Sequence, residues 1–312
     1  AALRLKPDFA QAHYNRGVTL QRLGRLPEAL AAFDTALGHA PTLASAWNNR
    51  AGILQEMGRY EEALDNVEKA LALRPADAPG HYNRGALLLG LHRYDEARAA
   101  FERTLALDPA HSGALGLMAS SALRACNWPR LAALAPRLLS EVAGGKSLVP
   151  PLTRIAFCDD PALQKIGAET NLAVTLRNTA VPAAPASKWN GERYGHGRIR
   201  IGYLSTDLRN HPVGAQIVGL LEQHDRAKVE VIGLFLGHDD GSALHQRIVK
   251  ACGQFHTVWD KGDEEIAALV RALEVDILVD LNGQTYGWRP GILKYRPAPV
   301  QAVYLGYAGT TG

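Results

Sequence analysis

The stretch SAWNNRAGILQEMGRYEEALDNVEKALALRP, residues 45–75, determines how the first third of the chain folds. Its first half places apolar residues on one face of a helix and ends at Gly58, because glycine tolerates the left-handed C-cap conformation. Its second half begins with acidic residues, which the first turn of a helix favours, and stops at Pro75, which cannot continue a helix. The apolar positions are Trp47, Ala51 and Leu54. The stretch therefore predicts two consecutive helices.

This two-helix unit recurs with a period of 34 residues. The residues that repeat at this spacing include Pro7, Pro41, Pro75 and Pro109, and also Asn15, Asn49 and Asn83. A fixed period of this kind is typical of an array in which each unit buries its apolar face against its neighbours. The units resemble the tetratricopeptide repeat, which implies a helical superhelix with a concave face.

Composition excludes several classes of protein. The chain of 312 residues is long enough for about two domains, and its 47% apolar content is that of a folded globular protein. It has no apolar run of about 18 residues that would predict a transmembrane helix. The net charge of +3 is too small to indicate a nucleic-acid partner. Three widely spaced cysteines argue against disulfides or a zinc site and favour a reducing compartment, so we expect a cytoplasmic protein.

The pattern divides the chain into four segments of an α plus α/β architecture. Repeats are predicted over residues 1–109, and transitional or capping helices over 110–178, where the period decays. Residues 179–197 contain prolines and glycines without a helical period, which indicates a linker. Residues 198–312 alternate strand-like and helix-like segments, which predicts a Rossmann-like parallel sheet with helices on both faces.

Ligands of such sheets bind beyond the carboxyl ends of the strands. Three polar, glycine-containing loops are predicted at that edge. They are STDLRNHPVG at 205–214, NGQTYGWRPG at 282–291 and GYAGTTG at 306–312. Glycine allows the backbone to approach a ligand, and the hydroxyl and amide groups supply hydrogen bonds.

The sequence predicts neither a metal nor a resident cofactor. The first strand is not followed by GxGxxG, and GxxxxGK[ST] does not occur, which argues against a dinucleotide site and a P-loop. The adjacent carboxylates at Asp159–Asp160 and Asp239–Asp240 form no convincing metal cluster and are equally explained as solvated loop residues.

His211 is the most informative side chain of the α/β segment. Pro212 favours an extended backbone at His211, in a polar loop directly after a strand. An imidazole there could act as a base or donate a hydrogen bond to a sugar or phosphate oxygen. The alternative is a loop histidine bonded to the backbone.

Two repeated positions of the helical segment also have competing explanations. The series Asn15, Asn49 and Asn83 could bond the backbone of an extended peptide, because an amide offers both a donor and an acceptor. The same asparagines could instead tighten the packing between helices. His13 and His81 occupy the repeat position of Trp47 and are predicted to be packing residues.

Repeats followed by IRIGYLSTDLRNHPVG (199–214), DILVDLNGQTYGWR (276–289) and RPAPVQAVYLGYAGTTG (296–312) resemble the O-linked N-acetylglucosamine transferases, including bacterial homologues. The resemblance implies a GT-B glycosyltransferase with two Rossmann domains. It further implies transfer of N-acetylglucosamine from UDP-GlcNAc to Ser and Thr hydroxyls of polypeptides, with inversion and without a catalytic metal. The nucleotide sugar is then a substrate.

The resemblance also assigns site residues. His211 matches the active-site histidine, as base or as sugar-positioning group. The positions that match the sugar-nucleotide cleft are Thr285, Gly306, Gly309 and Thr310. The asparagines Asn15, Asn49 and Asn83 match the ladder that holds the acceptor polypeptide.

Two features differ from the family pattern. Ala308 stands where the motif usually has proline, so that turn is expected to differ. The family has a second Rossmann domain beyond the GTTG motif, and that domain carries most of the nucleotide pocket. Residues 1–312 are therefore interpreted as a fragment that lacks the C-terminal catalytic half and is inactive alone.

Two alternative functions remain open. One is a SPINDLY-like protein O-fucosyltransferase that uses GDP-fucose, although the Asn210–His211–Pro212 tripeptide favours the N-acetylglucosamine branch. The other is a non-catalytic scaffold that binds peptides. The predicted partners are acceptor polypeptides in the repeat groove and a nucleotide sugar, with neither nucleic acid nor membrane.

Overall fold

The computed structural model describes residues 6–22, 25–146, 148–177, 194–285, 287–306 and 309. It divides into two compact units, Ala1–Cys158 and Asp159–Gly312. The division falls inside the segment 110–178 for which transitional helices were predicted. Most of the predicted linker, residues 179–193, lies outside the described residues, whereas 194–197 are described and irregular.

The first unit consists of helices that follow one another in the predicted pairs. The helices are α1 (Ala10–Arg22), α2 (Leu26–His39), α3 (Ala44–Glu56), α4 (Tyr60–Leu73), α5 (Ala78–Gly90), α6 (Tyr94–Leu107), α7 (Ala114–Arg124), α8 (Trp128–Ala143) and α9 (Pro151–Ile155). Each helix from α1 to α7 packs against the next one along the chain, and α9 packs against α7. The prediction of helical repeats is confirmed.

A hydrogen bond to the inter-repeat proline explains the first of the repeated positions. The ring nitrogen six residues after each proline bonds to that proline's carbonyl oxygen and so joins a helix to the turn before it. The pairs are His13–Pro7 at 2.7 Å, Trp47–Pro41 at 2.8 Å and His81–Pro75 at 3.0 Å. After Pro109 the equivalent residue is Leu115, which has no ring nitrogen and is buried. The structural role predicted for His13 and His81 is confirmed, and the period loses this contact where it decays.

Helices within a repeat fit together by pairing a small residue with a large one. A Cβ added to Gly17 would lie 2.7 Å from the Phe33 ring, and one added to Gly85 would lie 2.6 Å from the Phe101 ring. The repeat between them has Ala51 and Val67 at the equivalent positions, both buried. A larger residue on the first helix therefore accompanies a smaller one on the second, which conserves the volume of the core.

The second unit contains a parallel sheet whose five described strands have the order β3-β2-β1-β4-β5. The strands are β1 (Ile199–Ser205), β2 (Val229–Phe235), β3 (Gln254–Thr257), β4 (Ile277–Asp280) and β5 (Val300–Val303). The helices are α10 (Pro161–Arg177), α11 (Pro212–Gln223), α12 (Ala243–Ala251), α13 (Asp263–Ala272) and α14 (Pro290–Lys294). The predicted Rossmann-like sheet is confirmed, with the last three strands shorter than their apolar runs.

The register of the sheet fixes which loops become neighbours. Ile201 of β1 pairs with Val231 of β2 on one side and with Ile277 of β4 on the other. Chain order therefore reverses between β1 and β4, which is the topological switch point where open α/β sheets bind ligands. Apolar side chains from both sheet faces form separate buried clusters, one around Phe235 and one around Leu278. None of the helices described here is long and apolar enough to cross a membrane.

The small-to-large pairing predicts a stability difference between two glycines of the repeats. Gly85→Ala should destabilise the first unit by about 1–3 kcal/mol, because the Phe101 ring must move. Gly52→Ala is the matched control, since it lies in the interior of α3 with no heavy atom closer than 3.8 Å. It should be neutral or stabilising by up to about 1 kcal/mol. Thermal and urea unfolding followed by circular dichroism would measure both.

A double variant tests the compensation itself. Gly85→Ala with Phe101→Val recreates the Ala51–Val67 pair. The free energy of unfolding that the double variant loses should therefore be smaller than the sum of the losses in the two single variants. Strict additivity of the two single effects would contradict the pairing.

Candidate functional site

His211 lies at the start of α11, directly beyond the carboxyl end of β1. Its backbone is extended, with φ −147° and ψ 152°, as the following proline predicts. The ring caps the helix, because Nδ1 accepts a hydrogen bond of 3.3 Å from the Val213 N–H. The side chain is nevertheless 39% exposed. The backbone bond expected of a loop histidine is therefore present, and it leaves the rest of the ring open to a ligand.

A second group competes for the same ring nitrogen. Oδ2 of Asp207 lies 3.7 Å from Nδ1 of His211, within the range of an ion pair. When Nδ1 accepts from Val213, a neutral ring carries its proton on Nε2 and can donate it. When Nδ1 instead carries a proton directed at Asp207, Nε2 becomes an acceptor and the ring can act as a base. The two roles predicted for His211 thus correspond to two tautomers.

Asn282 joins the loops that follow β1 and β4. Its Oδ1 accepts from the Thr206 backbone N–H at 3.0 Å. Its Nδ2 donates to Oγ1 of Thr206 at 2.7 Å and to Oδ2 of Asp207 at 3.3 Å. The residue is almost fully buried, so these bonds are shielded from water. Asn282 therefore positions Asp207, and through it the surroundings of His211.

The carboxylate of Asp280 organises the loop after β4. It accepts from the Asn282 N–H at 2.9 Å, from the Gly283 N–H at 3.3 Å and from Nε1 of Trp288 at 2.8 Å. Burial raises the pKa of Asp280, and these three donors offset part of that rise. The loop is thus folded around one buried carboxyl group.

Asp240 ties the loop after β2 to the loop that carries His211. Its Oδ2 accepts from the Asn210 backbone N–H at 2.8 Å. Hydrogen bonds from Ser242 and from Asn210 lower the pKa of Asp240 to about 2. The neighbouring Asp239 accepts from the Gly241 N–H at 2.8 Å. In the part of the chain that the structure describes, these carboxylates belong to no cluster of three metal-ligating side chains.

The other predicted cleft residues have mainly structural contacts. The Thr285 hydroxyl donates to the Asn282 carbonyl at 2.8 Å within its own loop. Gly306 approaches Leu281 so closely that a Cβ would overlap the Leu281 carbonyl oxygen, which brings the loops after β4 and β5 together. Gly309 is half-buried. Thr310, like Ala308, lies outside the described residues.

A cavity of about 460 Å³ opens beyond the carboxyl ends of β1, β2, β3 and β4. We name it the Arg209 pocket. Its lining side chains include Asp207, Arg209, His238, Trp259, Trp288 and Arg289. The His238 and Trp259 rings contact each other, with centroids 4.1 Å apart. Asp207 is the residue that the pocket shares with the surroundings of His211.

The three asparagines of the repeats lie at equivalent positions of α1, α3 and α5 but have different contacts. Asn15 is exposed and accepts from Nε2 of Gln11 at 3.1 Å. Nδ2 of Asn49 donates to the Tyr14 hydroxyl at 3.0 Å, which joins two consecutive repeats. Asn83 is half-buried. The bond between Asn49 and Tyr14 therefore supports the packing explanation at Asn49. The partner of Asn15, Gln11, lies in the same helix and not in a neighbouring repeat.

Several residues of the site were missed from sequence. Asn282 and Asp207 were seen only as parts of polar loops, and Arg209 and Trp259 were not singled out. The available signal was sequence position, because each of these residues follows the last residue of a strand by two to four residues. Which of these side chains meet across two strands could not be read from position alone.

Comparison with protein families divides the chain in the same way as its fold. The model of glycosyl transferase family 41 matches residues 159–312. Two tetratricopeptide repeat models match residues 10–43 and 42–110.

Curated relatives match parts of the chain at moderate identity. "Probable UDP-N-acetylglucosamine--peptide N-acetylglucosaminyltransferase SEC" of Arabidopsis thaliana is 32% identical over 53% of this chain and 17% of the relative. The UDP-N-acetylglucosamine–peptide N-acetylglucosaminyltransferase of Caenorhabditis elegans is 35% identical over 37% of this chain and 10% of the relative. A SPINDLY relative of Arabidopsis thaliana is 31% identical over 40% of this chain and 14% of the relative. The chain thus spans less than a fifth of the length of these relatives.

A solved structure matches almost the whole chain. A mutant of the O-GlcNAc transferase of Thermobaculum terrenum superposes with a TM-score of 0.57 at 27% identity, over 97% of this chain and 51% of that one. The same order of repeats and catalytic region is therefore found in a bacterial enzyme, of which this chain spans about half. The family model and this superposition agree that residues 159–312 belong to glycosyl transferase family 41, preceded by tetratricopeptide repeats, as relatives of the O-linked N-acetylglucosamine transferases.

Proposed function

We propose that the native polypeptide containing this chain is a cytoplasmic protein O-glycosyltransferase. It transfers N-acetylglucosamine from UDP-GlcNAc to Ser or Thr hydroxyls, with inversion and without a metal. The observation that carries the proposal is the position of His211. A half-exposed imidazole lies at the switch point of the sheet, within the region matched by the family 41 model.

The proposed reaction is a single displacement. The acceptor hydroxyl oxygen attacks the anomeric carbon, the bond from that carbon to the diphosphate oxygen breaks, and the hydroxyl proton is released. In the tautomer with Nδ1–H directed at Asp207, Nε2 of His211 can accept this proton. In the tautomer with Nδ1 bound to Val213, Nε2–H can hold a sugar oxygen in place. In both tautomers Asn282 holds Asp207 in place, and Asp207 lies beside the His211 ring.

The leaving diphosphate requires positive charge or helix N-termini. We assign this role to the second Rossmann domain that the family resemblance implies. Residues 1–312 alone are therefore expected to show no transfer. In this proposal the chain supplies the repeats that bind the acceptor polypeptide and one wall of the catalytic cleft.

Replacing His211 tests whether its imidazole takes part in the transfer. His211→Ala in the native polypeptide should lower kcat by at least about 100-fold, because proton transfer or sugar positioning is lost. Transfer from labelled UDP-GlcNAc to a Ser-containing peptide is the measurement. His224→Ala is a matched control, since His224 contacts Tyr203 at the far end of α11. Full activity of His211→Ala would rule out the assignment.

Replacing Asp207 separates the two roles of His211. Asp207→Asn removes the carboxylate that favours a proton on Nδ1, so an enzyme that uses Nε2 as a base should lose about 10- to 100-fold in kcat. We expect this loss, together with a changed pH profile of kcat. An unchanged kcat and pH profile would instead identify His211 as the sugar-positioning group.

The family resemblance leaves a second candidate donor open, although the SPINDLY relatives matched here carry the name of UDP-N-acetylglucosamine–peptide transferases. A SPINDLY-like enzyme would transfer fucose from GDP-fucose with the same repeats and the same sheet. Side-by-side assays with UDP-GlcNAc and GDP-fucose distinguish the two, and we expect turnover with UDP-GlcNAc. Absence of turnover with both donors, while acceptor peptides still bind, would favour the non-catalytic scaffold.

The asparagine series tests how the repeats bind the acceptor. Asn49→Ala with Asn83→Ala should weaken binding of an extended peptide by about 10-fold or more, because two amide contacts are lost. Tyr14→Phe is the control, because it removes only the partner of Asn49 within the repeats. Fluorescence anisotropy of a labelled peptide measures affinity. Equal weakening by Tyr14→Phe would mean that the asparagines act through packing.

A further inference from the structure

The Arg209 pocket lies beside His211, yet the proposed displacement does not use it. Asp207 lines the pocket, and its Oδ2 is 3.7 Å from Nδ1 of His211. A group held in the pocket is therefore close to any hydroxyl that approaches this histidine. The volume of about 460 Å³ falls within the range of ligand pockets and can hold a side chain with its adjoining peptide groups.

The walls of the pocket are fixed by contacts within the second unit. A Cβ on Gly237 or on Gly287 would lie 2.6 Å from Thr206, so both walls approach as closely as glycine allows. The Trp288 indole is held by its bond to the buried Asp280. The backbone of Arg209 is held as well, because its carbonyl accepts from the His211 N–H at 2.7 Å. The pocket is thus pre-formed.

The two arginines of the pocket differ in their partners. Arg289 is neutralised, because its Nε donates to Asp263 at 2.7 Å and its Nη2 to the Lys261 carbonyl at 2.8 Å. Arg209 has a buried Nε for which no acceptor lies within hydrogen-bonding distance among the described residues. The Arg209 guanidinium lines the pocket and forms no ion pair with a described residue, so a ligand oxygen that reaches its accessible part would gain a charge-assisted hydrogen bond.

The charge balance favours a ligand with a single negative charge. Asp207 contributes one carboxylate to the pocket, and the Asp263 carboxylate balances Arg289. Asp207 would repel a phosphate dianion about twice as strongly as a carboxylate monoanion at the same distance. A carboxylate matches the single positive charge of the Arg209 guanidinium, whose planar fork is suited to bidentate pairing with carboxylates. The exposed ring of Trp259 in the same pocket offers a flat apolar surface for methylene and peptide groups.

We propose that the Arg209 pocket binds an Asp or Glu side chain of the acceptor polypeptide, near the reactive hydroxyl. This inference rests on the proposed function for its biological setting, but the binding itself does not require transfer. Arg209 pairs with the carboxylate, and Trp259 packs against the rest of the side chain. The pocket is then a specificity determinant that selects acidic acceptor sequences.

Binding to the 312-residue chain provides the first test. The probes are two short Ser-containing peptides that differ only in Glu against Gln two residues from the serine, and inorganic phosphate as the alternative anion. Calorimetry should show the Glu peptide binding about 10- to 100-fold more tightly than the Gln peptide. Arg209→Gln should abolish that difference, and Trp259→Leu should weaken both peptides.

Arg247→Gln is the matched control, because Arg247 is an exposed arginine of α12 that pairs with Glu222 outside the pocket. It should leave the preference for Glu unchanged. Equal affinity for the two peptides, or equal effects of Arg209→Gln and Arg247→Gln, would overturn the proposal. Phosphate that binds more tightly than the Glu peptide and is lost in Arg209→Gln would assign the pocket to a phosphate group instead.

Transfer assays with the native polypeptide distinguish the two proposals. A preference for the Glu peptide in binding without any transfer would contradict the proposed function and leave the pocket assignment standing. Equal transfer to both peptides, together with equal binding, would support the proposed function and contradict the pocket assignment.

Discussion

The parallel pairing of β1 with β4 determines where the functional groups of the second unit lie. Chain order reverses at this pair, so the loops after the two strands diverge and leave a crevice between them. Asn282 closes the base of that crevice with three hydrogen bonds, each of which is worth about 1 kcal/mol net. A shift of register by one residue would move Asn282 away from Thr206, and the position of Asp207 would change with it.

The site is built on the fixed contacts around this pair. Asp280 gathers the loop after β4, Asp240 fixes the loop after β2 against Asn210, and Pro212 sets the backbone of His211. These groups are buried or bonded to backbone atoms, so their role is to hold the loops of the site in place. Part of the His211 ring stays open to a ligand, and the Arg209 guanidinium lines the pocket without an ion-pair partner among the described residues.

Much of this arrangement could be predicted from the sequence. The 34-residue period gave the helical pairs, and alternating apolar runs gave the parallel sheet with its ligand edge. The strands β3 and β4 are shorter than their apolar runs, because Val258 and Leu281 are buried just beyond the strands. After β5, Tyr304 and Leu305 lie outside the strand and are exposed. Asn49 illustrates where prediction stops. Its period is visible in the sequence, but its bond to Tyr14 of the preceding repeat depends on the angle at which the helices pack.

The sequence by itself determined local structure, since helix periodicity, proline positions and strand alternation act over a few residues. It also determined the family, because the loop motifs around His211 and Gly306 are specific. Only the tertiary structure decided which loops meet. Asn282 and Asp207 are separated by 75 residues and come together because β1 and β4 pair. The Arg209 pocket likewise needs residues from four separate loops, and no local pattern encodes a cavity whose walls are distant in sequence.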